Sequence, residues 1–414
     1  MVIENVSILM PDGVFRKGAV EFDRFIRKVA ACEPPGGGAC PDDTHAANAH
    51  TMDAAAPPEG PYLIPGLIDI HTHGVAGYSF SDATIESMYK MAAFYARNGV
   101  TSFLATTLTA PESELAQAMK NAVSFIMEPD GARCADEQDE STRVAKARCT
   151  NASCVHARCV GINMEGPFFS YGKRGAQPAD KLMLPDLSML RRLRDISGDN
   201  IKLVCIAPEL EGAMEFIRET SQFSHVSLAH SEACYATASE AFACGASHVT
   251  HLFNGMNPFA HREPGIIGAA MDANAFVEVI CDGHHLHPAV IRAIFRMFPG
   301  RVCLISDSLE CTGLPDGSYM SAGLPVILKD GKAMLADGST LAGSSITLMQ
   351  AVRLAVSFGI PLVDAVNAAT KHPAQAIGME GVTGSIISGA FADFVLLDND
   401  LNINKVYISG EEVS

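Results

Sequence analysis

Two imidazoles one residue apart, His71 and His73, close the short apolar run 62–70, and their type and spacing suit a metal ion. The run is too short for an ordinary helix. Its β-branched content and the glycine just beyond the pair predict a buried strand. Alternate residues of a strand share a face, so the two rings can converge on one ion. A lone His-x-His binds nothing in most proteins, and what gives this one weight is the repetition of the pattern downstream.

A second apolar run spans 99–107. The run 159–164 delivers Glu165, 202–206 delivers Glu209 through Ala207-Pro208, and 225–229 delivers His230. The run 247–250 delivers His251, 276–281 delivers Asp282-Gly-His-His285, and 301–306 delivers Asp307. Helical spacing fills the intervals, as over 85–97, 115–127, 232–244 and 288–298. Strand alternating with helix eight times predicts an α/β fold, a (β/α)8 TIM-like barrel whose catalytic groups sit at the C-terminal ends of the strands. The polar residues fall there.

Metal hydrolysis needs ligands that leave a position open for water, and a base to take the proton of that water. The candidate ligands are His71, His73, Glu165, His230 and His251, with Asp307 as the base. Each has an ordinary alternative. A strand-end histidine is commonly a hydrogen-bonded structural residue, Glu165 could cap a helix or join an ion pair, and Asp307 could cap the next helix. Their placement at one end of one barrel favours the joint functional reading. His156, His225, His248 and His372 lack that placement and are read as structural.

The barrel is expected over 62–372. Residues 1–61 and 373–414 are expected to supply the two halves of a small β-sandwich, because 1–22, 384–398 and 404–410 share a short alternating texture. Residues 326–334 read as an added hairpin, and 345–358 and 361–370 as packing helices. Two segments read as insertions: 30–61, rich in Gly, Pro, Ala and Asp, and the polar 130–157. Cys149, Cys154, His156 and Cys159 could ligate zinc, but their spacing matches no common finger, and a loosely packed insertion is preferred.

Composition fits an enzyme. A chain of 414 residues, 48% hydrophobic, can bury a core larger than one ordinary domain. No run approaches the ~20 apolar residues of a membrane helix. The start lacks the basic-then-apolar order of a signal peptide, so the 12 cysteines read as free thiols of a reducing cytoplasm. The net charge of −17 argues against nucleic acid and acidic membranes as partners.

These residues resemble the amidohydrolase superfamily and, within it, the branch of amino-sugar-phosphate deacetylases. The resemblance covers nearly all of the chain outside the two insertions. It rests on Pro65-Gly-Leu-Ile-Asp-Ile-His-Thr-His-Gly74, Met164-Glu-Gly-Pro-Phe168, Lys173-Arg-Gly-Ala176, Ala207-Pro-Glu209 and Ala229-His-Ser231. It continues through Thr250-His-Leu-Phe-Asn-Gly-Met256, Arg262-Glu-Pro-Gly265, Asp282-Gly-His-His285, Ser306-Asp307 and Leu341-Ala-Gly-Ser344. His-x-His marks only the superfamily. Glu-Gly-Pro-Phe, His-Leu-Phe-Asn-x-Met and Arg-Glu-Pro-Gly together are specific to the branch.

The resemblance implies roles for particular residues. Glu165, His230 and His251 match the metal ligands found throughout the branch, with Glu165 in the bridging place. His71 and His73 match a pair that completes a second site in some members. One or two divalent ions per subunit are therefore expected, zinc or iron foremost, with manganese or cobalt also suited to imidazole and carboxylate. Asp307 matches the general base and acid, and His285 a group that polarises the acetamide carbonyl. Arg262 matches a phosphate-binding arginine able to fork two donors. Backbone N–H groups at Asn254 and Gly255 match the rest of the cradle, in a grip completed across a homodimer.

The implied reaction is metal-dependent hydrolysis of N-acetyl-D-glucosamine 6-phosphate to D-glucosamine 6-phosphate and acetate, in amino-sugar catabolism and cell-wall recycling. Two positions depart from the pattern. Gln177 replaces the usual histidine and can donate to a sugar hydroxyl without carrying charge. Gly255 replaces a commoner alanine. The alternatives are the same reaction on the galactosamine epimer, another amidohydrolase acting on a cyclic or peptide-like amide, and a non-catalytic scaffold. Sites of the second kind often bridge their metals with lysine and lack Arg-Glu-Pro-Gly. A scaffold would be expected to have lost ligands.

Overall fold

The computed structural model of the chain describes residues 1–31, 60–81, 84–127, 155–338 and 340–414. The two insertions lie almost wholly outside these residues, as do Cys149 and Cys154 of the cysteine cluster. Cys159 is buried in a strand, its Sγ donating to Gly161 O at 3.3 Å.

Three strands open the chain as antiparallel neighbours: β1 (Val2–Leu9), β2 (Phe15–Phe22) and β3 (Ile26–Ala31). The run 62–70, read above as one strand, is two. β4 (Tyr62–Pro65) pairs parallel with β1, whereas β5 (Leu67–Thr72) opens the barrel. Gly66 marks the break. A Cβ there would lie 2.2 Å from Thr101 Oγ1, so only glycine lets the chain pass between the two sheets.

A short hairpin follows His73, β6 (Gly74–Val75) with β7 (Tyr78–Ser79). The remaining barrel strands are β8 (Val100–Thr107), β9 (Arg158–Met164), β10 (Ile201–Ile206), β11 (His225–Leu228), β12 (His248–Val249), β13 (Phe276–Ile280) and β14 (Val302–Ile305). They lie side by side in chain order, every paired neighbour parallel. Helices alternate with them, among them Ile85–Arg97, Glu112–Met127, Pro288–Met297 and Leu348–Ser357. Capping boxes at Thr84 and Thr347 start the first and last of these. The first and last strands meet where the Asp307 N–H donates to His71 O at 2.9 Å and the Ser306 N–H to Asp69 Oδ1 at 3.3 Å.

Alternation sorts the strand residues into two sets. Phe103, Ile162, Val204, Val226, Val277 and Leu304 face the helices in the main core. Ile68, Ile70, Leu104, Leu203, Ile280 and Ile305 fill the barrel interior with Ala374 and Ile377. β5 departs from simple alternation. Its register with β8 slips between Asp69 and Thr72, so Ile70 and the adjacent His71 both reach the interior. Above the apolar plug lies a polar layer. Asn163 Nδ2 donates to Ile70 O, and Ser227 Oγ lies 2.6 Å from Thr250 Oγ1.

After β14 the chain forms a three-stranded meander, β15 (Gly317–Ser321), β16 (Leu324–Lys329) and β17 (Lys332–Leu335), one strand more than the expected hairpin. The chain end adds β18 (Phe394–Leu397), β19 (Ile403–Ile408) and β20 (Glu411–Glu412), and β18 pairs with β4. Both ends thus meet in one seven-stranded sheet, ordered β20-β19-β18-β4-β1-β2-β3. It curls on itself: the Gly389 N–H donates to Ile26 O and the Ile26 N–H to Ala390 O, returning the β3 edge to the segment before β18. Val20, Phe22, Ile26, Leu63 and Phe394 fill the fold so formed.

One ion pair fastens this sheet to the barrel. Arg158, at the start of β9, forks onto both carboxylate oxygens of Asp393 and also donates to Ser409 Oγ and Ser102 Oγ. Asp393 is buried and further accepts from the Ser409 N–H and Thr383 Oγ1. Removing one partner of a buried pair leaves the other charge uncompensated. Asp393→Ala should therefore lower unfolding free energy by about 3–5 kcal/mol, read as an earlier midpoint in urea denaturation. A loss under about 1 kcal/mol would mean that the pair behaves as an exposed one.

Candidate active site

The strand ends surround a cavity of about 260 Å³. On one side, His230 Nε2 and His251 Nε2 each lie 3.2 Å from Glu165 Oε1 and 3.1 Å from one another. On the other, His71 Nε2 and His73 Nε2 are 3.3 Å apart and lie 3.5 and 3.2 Å from Asp307 Oδ1. Glu165 reaches both groups, with Oε1 3.6 Å from His71 Nε2 and Oε2 3.4 Å from His73 Nε2. In each triad the ligand atoms lie within 4.8 Å of one another, and all six residues are buried. The structure thus brings together every residue read as a ligand or base.

Local backbone explains how they converge. His230, His251 and Asp307 each stand two residues beyond a strand, and each has positive φ, at 46°, 28° and 48°. Non-glycine residues pay for the left-handed region, so it persists where the surroundings enforce it, commonly at functional sites. The turn swings each side chain across the barrel mouth. Glu165 follows β9 directly, and the next residue must be glycine. Gly166 has φ +89°, and a Cβ there would meet Thr109 Oγ1 at 2.1 Å.

The electrostatics match a cation. Burial disfavours charge on His71, but the carboxylates of Glu278, Glu165 and Asp307 override it and push the imidazole up to about 10. His251 is raised against its burial by Glu165 and Asp307. Burial also opposes the charge of Glu165, yet His71, His230 and His251 hold it well below the usual carboxylate range. Asp307 is lowered in the same way by His73, His71 and His251. The two carboxylates are thus ionised, and His71 and His251 draw protons that a divalent cation would displace. Imidazole nitrogens 3.1 and 3.3 Å apart turn towards common centres, and the donor set of imidazole and carboxylate fits a metal ion. The Nδ1 atoms of His73 and His251 have no partner among the described residues.

Other predicted residues divide. His285 lines the cavity; its Nδ1 bonds Asp282 Oδ2 at 2.7 Å, which directs Nε2 elsewhere. Burial works against the Asp282 charge, but His285 holds its carboxyl below the usual range. Gln177 lines the cavity too, but both ends of its amide are engaged. Nε2 donates to Glu165 Oε2 at 2.7 Å and Oε1 accepts from the Thr109 N–H at 2.9 Å. It braces a ligand, a role not foreseen from its type. Asn254 and Gly255 lie on the wall, although the Asn254 N–H is spent on His251 O at 2.9 Å. At Gly255, with φ +61°, a Cβ would sit 3.0 Å from His230 Nδ1.

Arg262 is exposed and stands off the cavity wall. The ordinary alternative, a pair with Glu263, does not form. The Glu263 carboxylate accepts from the backbone N–H groups of Tyr235 and Gly265. The four histidines set aside as structural lie outside the cluster; His372 Nδ1, for example, donates to Val302 O at 2.8 Å. Sequence reasoning missed Glu278 and Asp282 as supports of His71 and His285. A signal for Glu278 existed: it is the one charged residue inside the apolar run 276–281.

The chain is similar to known proteins over most of its length. Residues 62–413 match the amidohydrolase family. The chain is 35% identical to an N-acetylglucosamine-6-phosphate deacetylase of Vibrio furnissii, over 87% of this chain and 85% of that protein. It is also 35% identical to an N-acetylgalactosamine-6-phosphate deacetylase of Escherichia coli O157:H7, over 85% and 88%. A mutant N-acetyl-D-glucosamine-6-phosphate deacetylase of Mycobacterium smegmatis, solved with N-acetyl-D-glucosamine 6-phosphate, superposes with a TM-score of 0.82. That likeness covers 100% of this chain and 99% of the other at 29% identity. Matched over residues 62–413 and aligned with these relatives over most of its length, the chain belongs to the amidohydrolase family, in the group of the N-acetylglucosamine-6-phosphate deacetylases.

Proposed function

We propose that this chain hydrolyses the acetamide of N-acetyl-D-glucosamine 6-phosphate, releasing D-glucosamine 6-phosphate and acetate. The observation that carries the reading is the buried, ionised Asp307 carboxylate facing both the cation-binding cluster and the cavity. Glu165, His230 and His251 would hold one divalent ion, and His71, His73 and Asp307, sharing Glu165, a second; zinc or iron suits both. When bound, such an ion supplies a Lewis acid for the carbonyl and lowers the pKa of water from ~15.7 towards ~7.

Asp307 accepts the proton of the attacking water. It then returns that proton to the sugar nitrogen, because an amide nitrogen leaves poorly as an anion. His285, which lines the cavity with its ring oriented through Nδ1 by Asp282, is assigned the acetamide oxygen. Gln177 keeps Glu165 oriented and has a second N–H left for a sugar hydroxyl. Arg262 is assigned the phosphate, with the Gly255 N–H. Its position off the cavity wall of its own chain, near a Phe259 that is 45% exposed, suits an arginine that completes the site of a second copy, so the reading includes a homodimer. It also includes a cytoplasmic location. Among the described residues no helix is long and apolar enough to cross a membrane.

The equal identity to a galactosamine-specific relative keeps the epimer as a second reading. Acetate release from the two N-acetylhexosamine 6-phosphates, measured on one metal-loaded preparation, separates them. The glucosamine substrate should give the higher kcat/KM, and the reverse order would transfer the assignment. Asp307→Asn should lower kcat by about 10²–10⁴ while metal at the Glu165–His230–His251 triad is retained. Near-native turnover would remove Asp307 as the base. Arg262→Ala should lower kcat/KM for the phosphorylated sugar by about 10–100-fold, the size of lost charge-assisted hydrogen bonds, and leave free N-acetylglucosamine nearly unaffected. Equal losses on both sugars would sink the phosphate role.

A further inference from the structure

Glu278 takes no part in the chemistry above, yet it is ionisable, 1% exposed and set inside the barrel on β13. Oε2 accepts from His71 Nδ1 at 2.8 Å, and Oε1 has no partner among the described residues. Contact with the other triad is slight: the His251 N–H approaches Oε2 at 3.4 Å. The tie from the Leu252 N–H runs to the Glu278 backbone oxygen and survives any side-chain change. A carboxylate buried among apolar strands is costly. The one strong bond it makes is to a candidate ligand.

We propose that Glu278 is the positioning residue that builds the second cation site. A carboxylate can only accept, so when His71 serves a cation as a neutral imidazole its proton stays on Nδ1, leaving the Nε2 lone pair directed at His73 Nε2 and Asp307 Oδ1. Without Glu278, His71 is free to carry its proton on Nε2, which would point an N–H where a lone pair is needed. The other triad has its own brace, since His230 Nδ1 donates to Lys173 O at 2.9 Å. Loss of Glu278 should therefore strike one site and spare the other. A purely structural role would weaken both or unfold the chain.

The inference rests on the reading that the two triads hold cations, and zinc stoichiometry separates the two claims. Native protein, Glu278→Gln and Glu278→Ala are loaded with Zn²⁺ and dialysed, the ions per chain are counted, and stepwise affinities are measured by chelator competition. The native chain should hold two ions. Glu278→Gln keeps the size of the side chain but can face His71 with oxygen or NH2, and should weaken only the second ion, by about 10–100-fold. Glu278→Ala should retain one ion, as should His71→Ala. If Glu278→Ala fails to fold, the isosteric Glu278→Gln decides alone. Native affinity for both ions in Glu278→Gln, or equal weakening of both, would overturn the proposal. So would a native chain that holds one ion. A native chain that binds none would overturn the metal reading itself.

Discussion

Six ionisable side chains buried together at one end of a barrel are the constraint on which the rest of this structure depends. Glu165 and Asp307 are held ionised, while the imidazoles around them crowd nitrogen to nitrogen at little more than 3 Å. Such an assembly is costly to bury without a positive charge at its centre. Neighbouring features follow from holding it in place. Three strand-end residues adopt left-handed backbone, Gly166 is crowded by Thr109, and the amide of Gln177 is clamped between Glu165 and a backbone N–H.

The layers beneath the cluster hold it in place. Ile68, Leu104, Leu203, Ile280 and Ile305 form an apolar plug closed by the segment around Ala374. Over it, Asn163 donates to the Ile70 carbonyl, and the hydroxyls of Ser227 and Thr250 bond each other. The plug supplies packing, and the polar layer keeps the ligands from facing a purely apolar floor. Barrels commonly separate stability from chemistry in this way, one end packing and the other reacting. The slip in β5 register is the local device that serves both, since Ile70 joins the plug while its neighbour His71 joins the site.

Much of this was legible in the residue order. Period-two and helical spacing located the eight strands and their helices, and the polar residues that close five of the runs meet in the buried cluster. Less legible were features that depend on residues far apart in the chain. The run 62–70 reads as one strand, and its Pro65-Gly66 pair alone does not show that the chain passes there between two sheets; the crowding by Thr101 does. Gln177 is typed as a hydrogen-bonding residue, but its partners, Glu165 and Thr109, are fixed by the fold. Glu278 was visible as a charge in an apolar strand, and only the barrel's closure shows it aimed at His71.

The sharing of Glu165 bears on how the two halves of the site relate. Each triad alone is an ordinary cluster, yet Oε1 contacts His230 and His251 while Oε2 lies nearest His73, so one carboxylate is oriented from both sides. Its remaining freedom is taken up by Gln177, which donates to the same Oε2. The amide directs Nε2 at Glu165 and receives the Thr109 N–H on Oε1, which ties that carboxylate to the loop after β8. The residue at this position therefore holds the Glu165 carboxylate as well as lining the cavity.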